Sequence, residues 1–86
     1  MIRTFRCKDT ESLFRDINVP KFRNIQWVAR RKLLYLHSAR TLRDLEAPPG
    51  NRLEALKGSR RGQYSIRIND QFRICFKWSN GDAEGV

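Results

Sequence analysis

Two arginines six residues apart, Arg67 and Arg73, are the residues of this chain best placed to do chemistry. Each lies in a stretch where apolar and polar residues alternate, which indicates half-buried β-strands. A three-residue loop at 69–71 puts every apolar residue of this hairpin on one face, whereas a two-residue loop would mix both kinds on each face. We therefore predict the longer loop, which places Arg67 directly opposite Arg73. The predicted apolar pairs are Ile68–Phe72, Ile66–Ile74 and Tyr64–Phe76.

Two like charges, Arg67 and Arg73, lie opposite each other in this predicted hairpin. Because such a pair destabilises a sheet, we expect an anion to bind between them. The chain has no phosphate-binding loop, no HExxH motif and no nucleophile elbow, which leaves cleavage of RNA through its own 2′-hydroxyl. That reaction needs cations around the phosphate and a modest acid and base, but no protein nucleophile. The candidate cations are Lys57, Arg60, Arg61, Arg67 and Arg73.

Glu54 is the candidate acid or base of this cluster. A carboxylate among arginines is more often a salt-bridge partner than a base, however. From the chemistry alone, phosphate binding without cleavage ranks ahead of catalysis.

The charge balance also points to an anionic partner. The chain carries 18 Lys and Arg against 9 Asp and Glu, a formal charge of +9 with a pI of about 10.6. Residues 21–43 hold seven cations and no acid, and residues 52–77 hold seven cations against two acids. Such a balance is typical of proteins that bind nucleic acid or an anionic membrane surface. The cations predicted to bind RNA or the ribosome are Arg60, Arg61, Lys77, Arg30, Arg31 and Lys32.

Several classes of protein are excluded by composition. No stretch approaches the roughly 20 apolar residues of a membrane span, and the first residues have no apolar signal core. The two cysteines, Cys7 and Cys75, lack the spacing of a zinc site, and a single pair does not indicate a disulfide framework. We expect one cytoplasmic domain of 86 residues that uses no metal and no cofactor.

The order of predicted elements gives an α+β fold, with two N-terminal helices packed on a mainly antiparallel sheet. Asp9 or Thr10 is the expected cap of the first helix, and Trp27 and Tyr35 are expected in the core or on the flank of the second. Arg30, Arg31 and Lys32 are expected to face away from the apolar side of that helix. The predicted elements are a strand at 2–7, helices at about 10–18 and 24–40, a helical turn at 41–45, a break at 48–50, a strand at 52–56, the hairpin, a turn at 80–81 and a strand at 83–86.

The stretch 52–78, together with residues 1–5, resembles the HigB branch of the RelE/ParE toxin superfamily. The resemblance rests on the pattern L-x-G-x-R-x-G-x-x-S-I-R-x-N-x-Q-[WF]-R-[IL]-x-F, which runs from Leu56 to Phe76. An Asn-Gly-Asp turn follows it, and the resemblance covers essentially the whole chain. It implies a RelE-like fold.

The resemblance further implies the toxin of a type II toxin–antitoxin system, which inhibits translation and growth as a metal-independent endoribonuclease. Such an mRNA interferase cuts messenger RNA on the translating 70S ribosome. The implied partners are a HigA-like antitoxin with a helix-turn-helix domain and, through their complex, operator DNA. The family's basic residues correspond to Lys57, Arg60, Arg67 and Arg73, of which Lys57, Arg67 and Arg73 are the predicted catalytic residues.

Two departures from the family pattern affect the expected activity. Members usually continue through a full last strand that ends in an acidic residue, an aromatic residue and a histidine, so we expect residues 1–86 to form a single toxin domain that lacks the end of this strand. Glu54 stands where the family often has a histidine. The alternatives are a ParE-like inhibitor of DNA gyrase and a basic RNA-binding module without catalysis. We expect Arg73→Ala to impair cleavage with little loss of stability, because it relieves the repulsion from Arg67.

Overall fold

The computed structural model describes residues 1–48 and 50–86, and it confirms the α+β fold. Two α-helices precede a four-stranded antiparallel sheet whose strands lie in sequence order. The predicted break at 48–50 includes Pro49, which lies outside the described residues. The elements are α1 Lys8–Phe14, α2 Gln26–Ser38, β1 Glu54–Ala55, β2 Gln63–Arg67, β3 Arg73–Ser79 and β4 Asp82–Glu84, with short 3-10 turns at Pro20–Phe22, Leu42–Leu45 and Gly58–Arg60.

The hairpin of β2 and β3 has the predicted register. The Ile68 N–H donates to the Phe72 carbonyl (3.0 Å) across a three-residue loop, and Arg67 pairs with Arg73. The side chain of Asn69 stabilises this loop, because its Oδ1 accepts from the backbone N–H groups of Gln71 (2.9 Å) and Phe72 (2.8 Å). The alternation of the sequence is therefore sufficient to place the arginine pair.

The core lies between α2 and the apolar face of the sheet. Leu33 and Leu36 of α2 are fully buried, as are Ile66 and Phe76 of the hairpin. Tyr64 is only half-buried and stacks on Phe76, with 6.2 Å between ring centroids. Because α2 covers the apolar face, the opposite face of the sheet carries the polar residues of β2 and β3.

The N-terminal segment differs from the predicted strand. It runs parallel to β4, with Ile2 and Ala83 forming an isolated bridge. The Arg3 N–H donates to the Ala83 carbonyl (2.8 Å), while the Gly85 N–H donates to the hydroxyl of Thr4 (2.8 Å). A side chain thus takes the place of a ladder carbonyl, so the segment does not form a regular strand.

The helices also depart from the predicted bounds. Helix α1 begins at Lys8 after Cys7, without a side-chain cap, so the predicted cap at Asp9 or Thr10 is wrong. Helix α2 is shorter than expected at both ends. Trp27 is 75% exposed, so it is not a core residue. The single histidine, His37, accepts a hydrogen bond from the backbone N–H of Ile2 (3.1 Å), a structural contact near the end of α2.

Asp82 makes the stability of the protein depend on pH. Its carboxylate accepts from Arg3 Nε (2.7 Å) and lies 3.4 Å from the terminal ammonium of Met1. These contacts, the hydrogen bond from Arg3 first, hold the pKa of Asp82 below its ordinary value. The folded state therefore gains stability at neutral pH that is lost as the pH falls through this lowered pKa.

We expect Asp82→Asn to lose less stability than the parent chain on acidification from about pH 6 to about pH 2.5, because the variant has no carboxylate at position 82 to protonate. Urea unfolding at both pH values measures the difference. Glu46→Gln, at an exposed site, is the control. An equal loss of stability on acidification in the parent and in Asp82→Asn would contradict the role of Asp82.

Candidate functional site

One face of the sheet collects the polar residues of all four strands. The confirmed register puts Ser65 opposite Cys75 and, on its other side, opposite Glu54 of β1. Lys77 of β3 lies between Gln63 of β2 and Glu84 of β4. We call this surface the polar face; it consists of Glu54, Gln63, Ser65, Arg67, Arg73, Cys75, Lys77 and Glu84.

Arg73 lies flat on the polar face and is held by several acceptors. Its Nε donates to the hydroxyl of Ser65 (2.8 Å), and a terminal nitrogen donates to the backbone carbonyl of Arg52. The same nitrogen lies 3.8 Å from the Glu54 carboxylate. Glu54 is therefore an ion-pair partner of Arg73, and a guanidinium fixed at several points has a defined direction.

Arg67 is directed to a different set of acceptors. Its guanidinium forms an ion pair with Asp70 in the hairpin loop, and its backbone N–H donates to the carbonyl of Asn51 (2.6 Å). Both arginine side chains remain 29% exposed. The opposed cations thus have protein acceptors, and the fold does not require the anion that their repulsion suggested. An incoming phosphate would compete with Asp70 and Glu54 for them.

The basic loop before β2 contributes further cations. Lys57, Arg60 and Arg61 are all exposed, and Arg60 donates to Gln63 Oε1 (3.3 Å) at the start of β2. Arg60 and Arg73 line the same open cavity, of about 490 Å³. The cavity therefore connects Arg60 with Arg73, whereas Arg67 is not part of its lining, which is mostly apolar. Lys77 lies on the same polar face and is exposed.

The helical cations do not behave as predicted. Lys32 is only 6% exposed, and its ammonium donates to Asn51 Oδ1 (2.5 Å). Burial lowers the pKa of Lys32. Arg30 donates to the Leu13 carbonyl (2.8 Å) and pairs with a carboxylate of the segment after α1. The prediction that Lys32 faces away from the apolar side of the helix is therefore wrong. Arg30 is half-buried and held by protein acceptors, whereas Arg31 is exposed, and RNA binding by these cations stays a prediction.

Spacing explains the error at Lys32. Position 32 lies three residues after Ala29 and four before Leu36, so it shares their buried side of the helix. The residues that hold the site were also missed: Ser65, which is 1% exposed, Asn51 and the carbonyl of Arg52. A small polar residue between the apolar Tyr64 and Ile66 was the only signal for Ser65, and backbone acceptors leave no signal in a sequence.

The described residues, 1–48 and 50–86, contain neither a metal-binding cluster nor a membrane-spanning helix. No group of three or more His, Cys, Asp or Glu side chains there could hold a metal ion. No helix in these residues is long and apolar enough to cross a membrane.

Known proteins resemble this chain over most of its length. Toxin HigB-1 of Vibrio cholerae serotype O1 is 49% identical over 53 residues, which cover 62% of this chain and 56% of that protein. An uncharacterized protein of Haemophilus influenzae is 35% identical over 63 residues, 73% of this chain and 62% of that protein. The chain thus spans less than two thirds of the length of either relative. Residues 3–86 match the model of the HigB-like toxins, described as RelE-like toxins of the type II toxin–antitoxin system HigB, and the chain belongs to this family.

Proposed function

We propose that this toxin is a ribosome-dependent mRNA endoribonuclease that stops translation in the cytoplasm. The observation that supports it best is the Arg67–Arg73 pair, which lies on the polar face with 29% of each side chain exposed. Two guanidiniums with fixed directions can stabilise the charge that builds up on a phosphate during its cleavage.

The proposed reaction uses the RNA's own nucleophile. The 2′-oxygen attacks the neighbouring phosphorus, the bond from phosphorus to the 5′-oxygen breaks, and a cyclic phosphate and a 5′-hydroxyl result. Arg67 and Arg73, with Lys57 from the basic loop, neutralise the pentavalent phosphate. Glu54 is 61% exposed beside Arg73 and is the candidate to take the 2′-hydroxyl proton, while the leaving 5′-oxygen takes a proton from solvent water.

The remaining exposed cations serve binding in this proposal. Arg60, Arg61 and Lys77 contact the RNA backbone or the ribosome. The antitoxin is proposed to be HigA-like, with a helix-turn-helix domain through which the complex binds operator DNA.

RNA binding without cleavage is the second candidate. His37, the single histidine of the chain, hydrogen-bonds to the backbone of Ile2. It therefore supplies no acid or base to the polar face, and this observation favours a binding role.

Primer extension on a defined mRNA with programmed 70S ribosomes tests the proposal. The assay compares this chain with a version extended by the family's acidic-aromatic-histidine tail. Ribosome-dependent cleavage by either protein supports the proposal, and cleavage by the extended version alone assigns part of the chemistry to the tail. If neither cleaves but RNA still binds, the second candidate stands; inhibition in a gyrase supercoiling assay would overturn both.

Asp70 gives a prediction for RNA affinity. Its carboxylate is almost fully exposed and pairs with Arg67, so Asp70→Asn frees this guanidinium for phosphate. We expect binding of a short RNA to tighten about two- to fivefold, the range of an exposed ion pair. Fluorescence polarisation at two salt concentrations measures it, with Glu46→Gln as a control of equal charge change. Equal tightening in both variants would show an effect of net charge alone.

A further inference from the structure

Apolar side chains are exposed on the side of α2 that faces away from the sheet. Trp27 is 75% exposed and Leu34 is half exposed. These two residues are seven positions apart, about two helical turns, so they lie on one side with Arg31 between them. We call this surface the outer face of α2; its residues are Trp27, Arg31, Leu34, the partly exposed Tyr35 and the neighbouring Ile17.

Arg30 connects Ile17 to this outer face. Its guanidinium lies over the Trp27 ring (5.6 Å to the centroid) and forms an ion pair with Asp16 (3.2 Å). Ile17, which is half exposed, follows Asp16 directly in the chain. Among the described residues, four of the five exposed large hydrophobic side chains belong to the outer face, the fifth being Met1.

The fold cannot bury this surface by turning the helix. The inner side of α2 already packs in the core through Ala29, Leu33 and Leu36, which are at most 1% exposed. A helix that is apolar on its outer side as well as its inner side indicates a surface that another protein covers.

The charge around the outer face selects the chemistry of that protein. Arg23 and Arg31 are exposed cations there, whereas Lys32 is buried and the charge of Arg30 is paired with Asp16. An acidic segment with apolar residues along one side complements such a surface. RNA fits it less well, because Leu34 and Ile17 offer a phosphate backbone no partner and Arg30 already covers the Trp27 ring.

We propose that the outer face of α2 docks an acidic amphipathic segment of the antitoxin. The proposal depends on the type II toxin family and the antitoxin that it implies, but not on cleavage of RNA. Since α2 lies on the apolar side of the sheet, a segment bound to its outer face leaves the polar face of the sheet uncovered.

Calorimetric titration of the whole chain with its purified antitoxin, without ribosomes, tests the proposal. We expect Trp27→Ala/Leu34→Glu to weaken binding at least about 100-fold, the loss typical of two central anchor residues. Arg31→Glu should weaken binding about tenfold or more, whereas Lys8→Glu, with the same charge change on the exposed side of α1, should leave it within about twofold. Thermal unfolding checks that the variants remain folded; since all substituted side chains are exposed, their Tm values should stay near that of the parent.

Each other outcome overturns the docking site. Unchanged affinity in the double variant, or no binding of the antitoxin by the parent chain, refutes it. Loss of affinity for a short RNA in the double variant, with antitoxin binding intact, would assign the outer face to RNA instead. Normal docking without any cleavage of mRNA would overturn the proposed endoribonuclease activity alone.

Discussion

Arg67→Ala should lower ribosome-dependent cleavage about 10²- to 10³-fold while the protein stays folded, because the lost guanidinium stabilises charge that develops only during the reaction. Its side chain pairs with an exposed carboxylate, Asp70, so its removal costs little stability. Single-turnover primer extension with programmed ribosomes measures the rate. Arg43→Ala removes an exposed arginine from the turn after α2 and is the matched control. A rate within about fivefold of the parent would remove Arg67 from the proposed mechanism.

Arg73→Ala should show a comparable loss of cleavage together with a loss of stability. The sequence suggested that removing Arg73 would cost little stability, because it relieves the repulsion from Arg67. Arg73 instead satisfies the buried hydroxyl of Ser65 and the carbonyl of Arg52. We expect a loss of about 1–3 kcal/mol in the free energy of unfolding, the cost of polar groups left without a partner. Arg73→Lys keeps the positive charge but lacks the planar set of donors. Comparing it with Arg73→Ala therefore separates the contribution of the charge from that of the hydrogen-bond geometry.

Asn51→Leu should be the most destabilising of the polar substitutions. Asn51 is fully buried, accepts from the Lys32 ammonium (2.5 Å) and donates to the Leu45 carbonyl (3.0 Å). Leucine leaves a buried cation without this acceptor, at a cost of about 3 kcal/mol. The pair Lys32→Met/Asn51→Leu should recover most of that loss, since apolar replacement of both partners removes the uncompensated charge. Urea unfolding of the parent, both single variants and the double variant measures the coupling.

The pH dependence of Asn51→Leu provides an independent check. Burial lowers the pKa of Lys32 in the folded protein, so in the range between that value and the ordinary ammonium pKa the unfolded chain binds more protons. Stability therefore rises with pH in this range. We expect Asn51→Leu to gain stability relative to the double variant from about pH 7 to about pH 10. A constant difference would mean that the lost stability comes from packing alone.

What the sequence could predict depends on the range of the interactions. The pairing of Arg67 with Arg73 follows from alternation in neighbouring strands, and the structure confirms it. The spacing of Lys32 from Ala29 and Leu36 signals its burial, but the acceptor that satisfies its charge, Asn51, is 19 residues away and leaves no local signal. Ser65 was missed because its role comes from the Arg73 guanidinium that covers it and not from a motif of its own.

The parallel pairing of the N-terminal segment with β4 has a consequence for biosynthesis. Residues 1–6 are synthesised about 80 residues before their hydrogen-bond partners at positions 83–86. Until these partners emerge, Ile2 has no strand to pair with, and the last strand of the sheet cannot form. The nascent chain therefore carries its arginine hairpin before its sheet is complete, and the N-terminal segment joins the sheet only after residues 83–86 have emerged.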